Sequence, residues 1–294
     1  MPSILFAMLA GIAVTVQNSL NGLMNPFIGA MGTSLVGFSI QLILLLLYQA
    51  CVVRRRISLK RVPLAHYSSG LIAVIVVGTI GFCVSRMGSA VTTCCSVAGQ
   101  ILMSALVDHF GLFGSPRHRF TKNRVGGFAL ILAGVLSINL VGGSSTGRAP
   151  LSLLLLALLL GCGAIVVRTL NHKSTQATGS MIGGGVVNSM SGAFFGLILF
   201  LATTGFHPDL SAFTAFPPAY YSAGLFGGAC LLLNIAAYER QNVFYATVFM
   251  LIGQVATGIV ADLLVFHSLS AGKCVGIAIV LAGVLMDKQR TRNR

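Results

Sequence analysis

Acidic residues are what this chain has least of. Only five Asp or Glu stand against nineteen Lys or Arg in 294 residues, and charged residues make up 8% of the whole. A soluble domain carries about a quarter of its residues as charges. With 55% hydrophobic residues and a mean hydropathy of +0.91 besides, a soluble enzyme domain is excluded. The five acids are Asp108, Asp209, Glu239, Asp262 and Asp287, and none falls in the middle of an apolar run. Mid-membrane carboxylates usually mark proton or ion coupling, so coupling through a central acid is disfavoured. Asp108, Glu239 and Asp262 stay as coupling candidates near run ends, where anchoring at the interface or pairing with cations competes. There are seven cysteines, at 51, 83, 94, 95, 162, 230 and 274, but no C-x-x-C pair. They read as small packing residues, and no metal or other cofactor is implied. No H-E-x-x-H or Walker A segment occurs, which disfavours an enzyme and leaves ATP-driven transport to a partner. The N-terminus lacks a basic leader, so its first apolar run is expected to stay as a span.

What is present is a succession of apolar runs of roughly 20 residues, the length that crosses a bilayer as a helix. Ten spans are expected, near 3–24, 33–53, 64–85, 88–109, 124–142, 151–170, 180–204, 218–238, 243–265 and 272–287. The fold class is therefore all-α and membrane-integral, with the lipid bilayer as solvent. The net charge of +14 sits in short clusters between runs, such as Arg54-Arg55-Arg56 and Arg117-His118-Arg119. That placement orients membrane proteins; no basic face with interleaved aromatics exists to hold nucleic acid.

The sequence repeats itself. Gly99-Gln100, with Asp108 eight residues on, recurs as Gly253-Gln254 with Asp262, at a spacing of 154. Over eight residues a helix rises about 12 Å, so each Gln lies deeper in its span than its Asp. Segment 63–71 aligns with 217–225 at the same spacing, with six of nine positions identical. Gly127–Leu136 matches Gly276–Leu285, and Gly11, Leu20 and Asn21 match Gly161, Leu170 and Asn171. At Gln17-Asn18 the second copy has Val167-Arg168 instead. The expected domains are a first five-helix repeat at 1–142, a Gly/Ser-rich linker at 143–150, and a second repeat with a basic tail at 151–294. Five spans per copy makes the second repeat inverted. With both termini in the cytoplasm, sixteen basic residues, Arg168 among them, fall on that side and three on the other, as the positive-inside rule requires.

Amides inside apolar spans should face protein or a wet cavity. Gln17, Asn18, Asn21, Gln100, Asn171 and Gln254 are the candidate solute-binding residues, with Gln100 and Gln254 facing a central polar space. Gly127 and Gly134, with Gly276 and Gly283, put small residues seven apart on one helix face. Close packing there would lie within a monomer or across a homodimer.

With these residues in view the chain resembles the drug/metabolite transporter superfamily. More narrowly, Gln17-Asn18-Ser19-Leu20-Asn21 and Gly99-Gln100 resemble motifs of a family of small bacterial inner-membrane exporters of about five spans, here fused in tandem. The resemblance implies ten spans in two inverted repeats and secondary export. Small multidrug exporters of that superfamily carry a central first-span glutamate that this chain lacks, which disfavours strongly cationic substrates. The leading reading is a secondary transporter of a small polar or amphipathic metabolite, working by alternating access. Its rival, a non-transporting membrane scaffold or assembly protein, would turn the same amides into helix interfaces and leave no cavity.

Overall fold

The computed structural model describes residues 2–53, 62–112, 150–240 and 243–266, with helical positions also between 126 and 137 and between 275 and 279. Seven long helices carry these residues: α1 (Pro2–Tyr48), α2 (Ser68–Met87), α3 (Ser89–Phe110), α4 (Leu151–Thr178), α5 (Met181–Thr203), α6 (Ala223–Arg240) and α7 (Val243–Leu264). Most of the fifth and tenth expected spans lies outside the described residues, as do Gly127, Gly276 and Gly283; Gly134 is helical and buried.

Helix α1 runs through both the first and second expected spans. At 1.5 Å per residue its 47 residues would extend about 70 Å, against about 30 Å of hydrocarbon. The chain breaks it at Gly29, with φ 68° and ψ 174°, three residues after Pro26. Pro26 removes a helical N–H, and Gly29 takes a left-handed φ that a Cβ would oppose. The result is two arms, 2–28 and 30–48. The loop expected at 25–32 is helical apart from that one residue. Gly88, at φ 86° and ψ 168°, joins α2 to α3 with the same economy of chain.

The solvation pattern is inside out. Leu151, Leu155 and Leu159 form an i, i+4 row on α4 and are 62%, 52% and 64% exposed, while Gln100, Gln254 and Asn188 are each 4% exposed. Large apolar side chains outside and amides inside are what lipid solvation demands. Five described segments are long and apolar enough to cross a membrane, Ile4–Val53 being the longest. A shared apolar core joins α2, α3, α4 and α7 through Val84, Cys94, Val97, Leu160, Leu251 and Val255.

Several of the closest helix approaches cross between the halves. The first arm of α1 meets α7 where Gly11 lies against the Met250 carbonyl and the Gln254 backbone nitrogen, and Gly253 against Met8. Helix α3 meets α4 where Gly99 lies against the Leu158 carbonyl and Gly161 against the Ser96 carbonyl. These two crossings use repeat-equivalent residues. Gly70 and Gly224, equivalent at the spacing of 154, likewise bring α2 against α5 at the Gly192 nitrogen and α6 against the second arm of α1 at the Gly37 carbonyl. Small residues let backbones touch, which is how helices gain dispersion energy in lipid. The halves are therefore interleaved, and the surfaces they share enclose the polar residues described next. Outside the helices, Asp209 caps the short turn Leu210–Thr214. The hydroxyl and backbone N–H of Ser211 hold its carboxyl below the usual carboxylate range.

Candidate functional site

Helices α3 and α7 start at equivalent positions, 89 and 243, so Gln100 and Gln254 sit at the same height along their helices. The structure brings them together. Gln100 Nε2 donates to Gln254 Oε1 at 3.4 Å and to Ser96 Oγ, one turn back, at 3.2 Å. The backbone carbonyl of Gln254 accepts from the Thr15 hydroxyl of α1 at 3.2 Å. A cavity of about 160 Å³ opens beside this pair, lined by residues of all seven long helices. Gln17 and Asn18 line it with Gln100 and Gln254. Gln17 has its place because Gly227 has no side chain: a Cβ there would lie 2.8 Å from Gln17 Nε2.

Two expected residues lie elsewhere. Asn21 is fully buried against Gly81 of α2, and Asn171 sits at the α4–α5 contact, where its carbonyl accepts from Thr175 near Gly184. Neither lines the cavity. They match each other in the repeat, so similarity between copies there marks packing rather than lining. Four amide or charged residues that sequence reasoning did not single out as site residues do line it, Gln41, Arg168, Asn188 and Asn234, together with the hydroxyl residues Thr92, Thr93 and Ser96. Gln41 and Asn188 are buried amides inside apolar runs, the same signal that picked out Gln100, but no recurring motif drew attention to them.

Arg168 is the main correction. Counted by position it sits at the cytoplasmic end of a span ending near 170, among the cytoplasmic charges. In fact α4 continues to Thr178. The polar run after Leu170 looked like a helix end, yet Ser174, Thr175 and Thr178 donate back to the carbonyls of Leu170, Asn171 and Ser174 and so satisfy themselves within the helix. The helix ends at Gly179, with φ 63°. Arg168 is thereby held inside the span, and its Nη2 donates to Gln100 Oε1 at 2.8 Å. The Gln100 amide is thus fixed at both ends, oxygen to guanidinium and nitrogen to Gln254.

The coupling candidates divide. Asp262 is 0% exposed and is not among the cavity's lining residues. Its Oδ1 accepts from the Ser89 backbone N–H at 2.6 Å, capping α3 where Gly88 offers no side chain. A carboxylate at a helix N-terminus also meets the positive end of the helix dipole. Asp108 and Glu239 lie in α3 and α6, and their side chains are outside the described residues. The amide pair and the guanidinium on α3, α4 and α7 can hold a polar solute by hydrogen bonds and charge.

No functionally curated protein matches this sequence. A chain whose crystal structure has been solved is similar over 98% of both chains, at 16% identity and a TM-score of 0.61; at that identity the likeness is one of fold. The family described as "Putative inner membrane exporter, YdcZ" matches twice, over residues 3–137 and again over 152–286. Together the two matches take in nearly all of the chain, so this protein belongs to that inner-membrane exporter family and carries its unit twice in tandem.

Proposed function

We propose that this protein is a secondary transporter that exports a small polar or amphipathic metabolite. The cavity bounded by both repeats is the observation that carries the reading: its amides come from Gln17, Asn18, Gln41, Gln100, Asn188, Asn234 and Gln254. An amide donates and accepts, so it orients a polar solute, while Val76, Val77 and Ile80 supply apolar contact. An apolar cavity of similar size, about 150 Å³, holds a benzene molecule, which sets the solute at roughly six to ten non-hydrogen atoms. The repeats are inverted, both termini face the cytoplasm, and access alternates between the two sides. Because the tight glycine contacts tie α1 to α7 and α3 to α4, the bodies that rock are these cross-half pairs rather than the two sequence halves. The Ser89–Asp262 contact links the pairs at one end.

Untargeted comparison of intracellular and external metabolites tests this. Three strains are needed: a deletion strain, one overproducing the wild type, and one overproducing Gly227→Leu, which fills the notch beside Gln17. A solute that accumulates inside the deletion strain, and leaves only with the wild type, supports export. A wild-type profile indistinguishable from those of the deletion and the filled-cavity strains contradicts it and favours a scaffold.

A further inference from the structure

Arg168 lies inside a membrane-spanning helix, about 26 Å along the axis from Leu151 and about 15 Å from Thr178. A cation at that depth is costly and ordinarily pairs with an acid or marks a solute pathway. Among the described residues its side chain makes one hydrogen bond, to a neutral amide oxygen, that of Gln100, which orients the guanidinium without neutralising it. Its second terminal nitrogen, Nη1, is sealed from solvent and has no hydrogen-bond partner. None of the described residues that line the cavity is an acid: Asp262 is committed to Ser89, and Asp209 lies in an exposed turn. Among the described residues the cavity wall thus carries a positive charge with no acid beside it, a buried guanidinium nitrogen without a hydrogen-bond partner, and amides that can complete a shell.

From this arrangement, and resting on the reading of the cavity as a solute site, we propose that the transported solute carries an anionic group of the carboxylate or phosphate class, with Arg168 as its counter-charge. Nη1 and the remaining hydrogen of Nη2 form the planar fork that grips two oxygens of one anion. The Gln100 contact holds that fork in place before the solute arrives. The first repeat has Asn18 where the second has Arg168, so the two halves present an amide and a single guanidinium to the same cavity. That asymmetry suits one anionic head with a polar or apolar body, and it disfavours cations outright.

The test is thermal stabilisation of the full-length protein in an uncharged detergent, at constant ionic strength. The probes are sodium benzoate, inorganic phosphate, and benzyl alcohol and benzylamine as the neutral and cationic counterparts of benzoate. Benzoate or phosphate should stabilise the wild type saturably, with a midpoint at least roughly tenfold below that of benzyl alcohol. Benzylamine should have no effect. Arg168→Gln should raise the anion midpoint by roughly tenfold or more, and Arg168→Lys should keep the anion preference at lower affinity. If Arg168→Gln does not fold, the wild-type comparison still decides the sign of charge. Equal or better stabilisation by benzylamine or benzyl alcohol, unchanged anion midpoints in Arg168→Gln, or no response to either anion would overturn the inference. In those cases neutral or cationic stabilisation that disappears in Gln254→Leu would leave the solute cavity standing without its anion. Silence from all four probes would count against both.

Discussion

Gly99→Ala adds a single methyl group where α3 crosses α4, and the structure sets what that methyl must displace. The new Cβ would lie 2.8 Å from the Leu158 carbonyl carbon and 3.1 Å from the Cys162 nitrogen, with the Leu158 oxygen nearer still. Carbon contacts settle at about 3.5 Å or more, and every obstructing atom is backbone, which no rotamer change can move aside. The two helices must therefore separate by about 1 Å. A gap of that size forfeits a quarter to a half of the dispersion energy along the contact, and overpacking of this kind typically costs about 1–3 kcal/mol. The intrinsic helix preference of Ala over Gly returns about 1 kcal/mol at most, leaving a net loss of about 1 kcal/mol and up to about 2 kcal/mol. Gly161→Ala meets Ser96 backbone atoms at 2.8 and 3.0 Å and should cost the same. Because both act on one crossing, the double variant should lose less than the sum. Gly37→Ala is the control, since nothing lies within 4 Å of its new Cβ; it should be neutral or slightly stabilising. Thermal unfolding of fluorescent-protein fusions, read by size exclusion in detergent, measures all four. Unfolding temperatures for Gly99→Ala and Gly161→Ala within a degree of wild type would refute the claim that these glycines hold the halves together.

Asp262→Asn keeps the shape of the cap but removes its charge, and should lower stability by about 1 kcal/mol; the same unfolding assay checks it. Gln254→Leu leaves Gln100 Nε2 short of one long hydrogen bond, so stability should fall by no more than about 1 kcal/mol while efflux of whichever solute the metabolite comparison identifies is lost. Reporter fusions after residues 56, 120 and 294 should read cytoplasmic and one near 146 the opposite side; a cytoplasmic reading at 146 would remove the inverted repeat.

The membrane character and most of the helices could be read from the sequence because lipid imposes length and hydropathy directly. Thus α2, α3, α5 and α7 begin and end within about five residues of the expected spans. The amide pair was legible for another reason: Gln100 and Gln254 recur in the same motif, and repeat-equivalent residues meet in the structure. Two features escaped for physical reasons. Hydroxyls that bond to their own helix let α4 run on through a polar stretch, which put Arg168 about ten residues inside the helix end rather than at the expected cytoplasmic edge of its span. And helix crossing points depend on which glycines face each other in space. Gly11, Gly99, Gly161 and Gly253 do so, but among 35 glycines a seven-residue spacing favoured Gly127 and Gly134 instead.

The central claim is that water and solute reach the amides between the repeats. A single cysteine in place of Gln100, Asn18 or Asn188, in a background without native cysteines, tests it with a small water-soluble thiol reagent. Leu197, 47% exposed on α5 and so turned toward lipid, serves as the control position. The account predicts that the three cavity cysteines react from the aqueous phase, that the cysteine at 197 does not, and that excess solute or probe anion protects the cavity positions. Folded protein in which none of the three reacts from either side of the membrane would contradict it, and would make the amides structural.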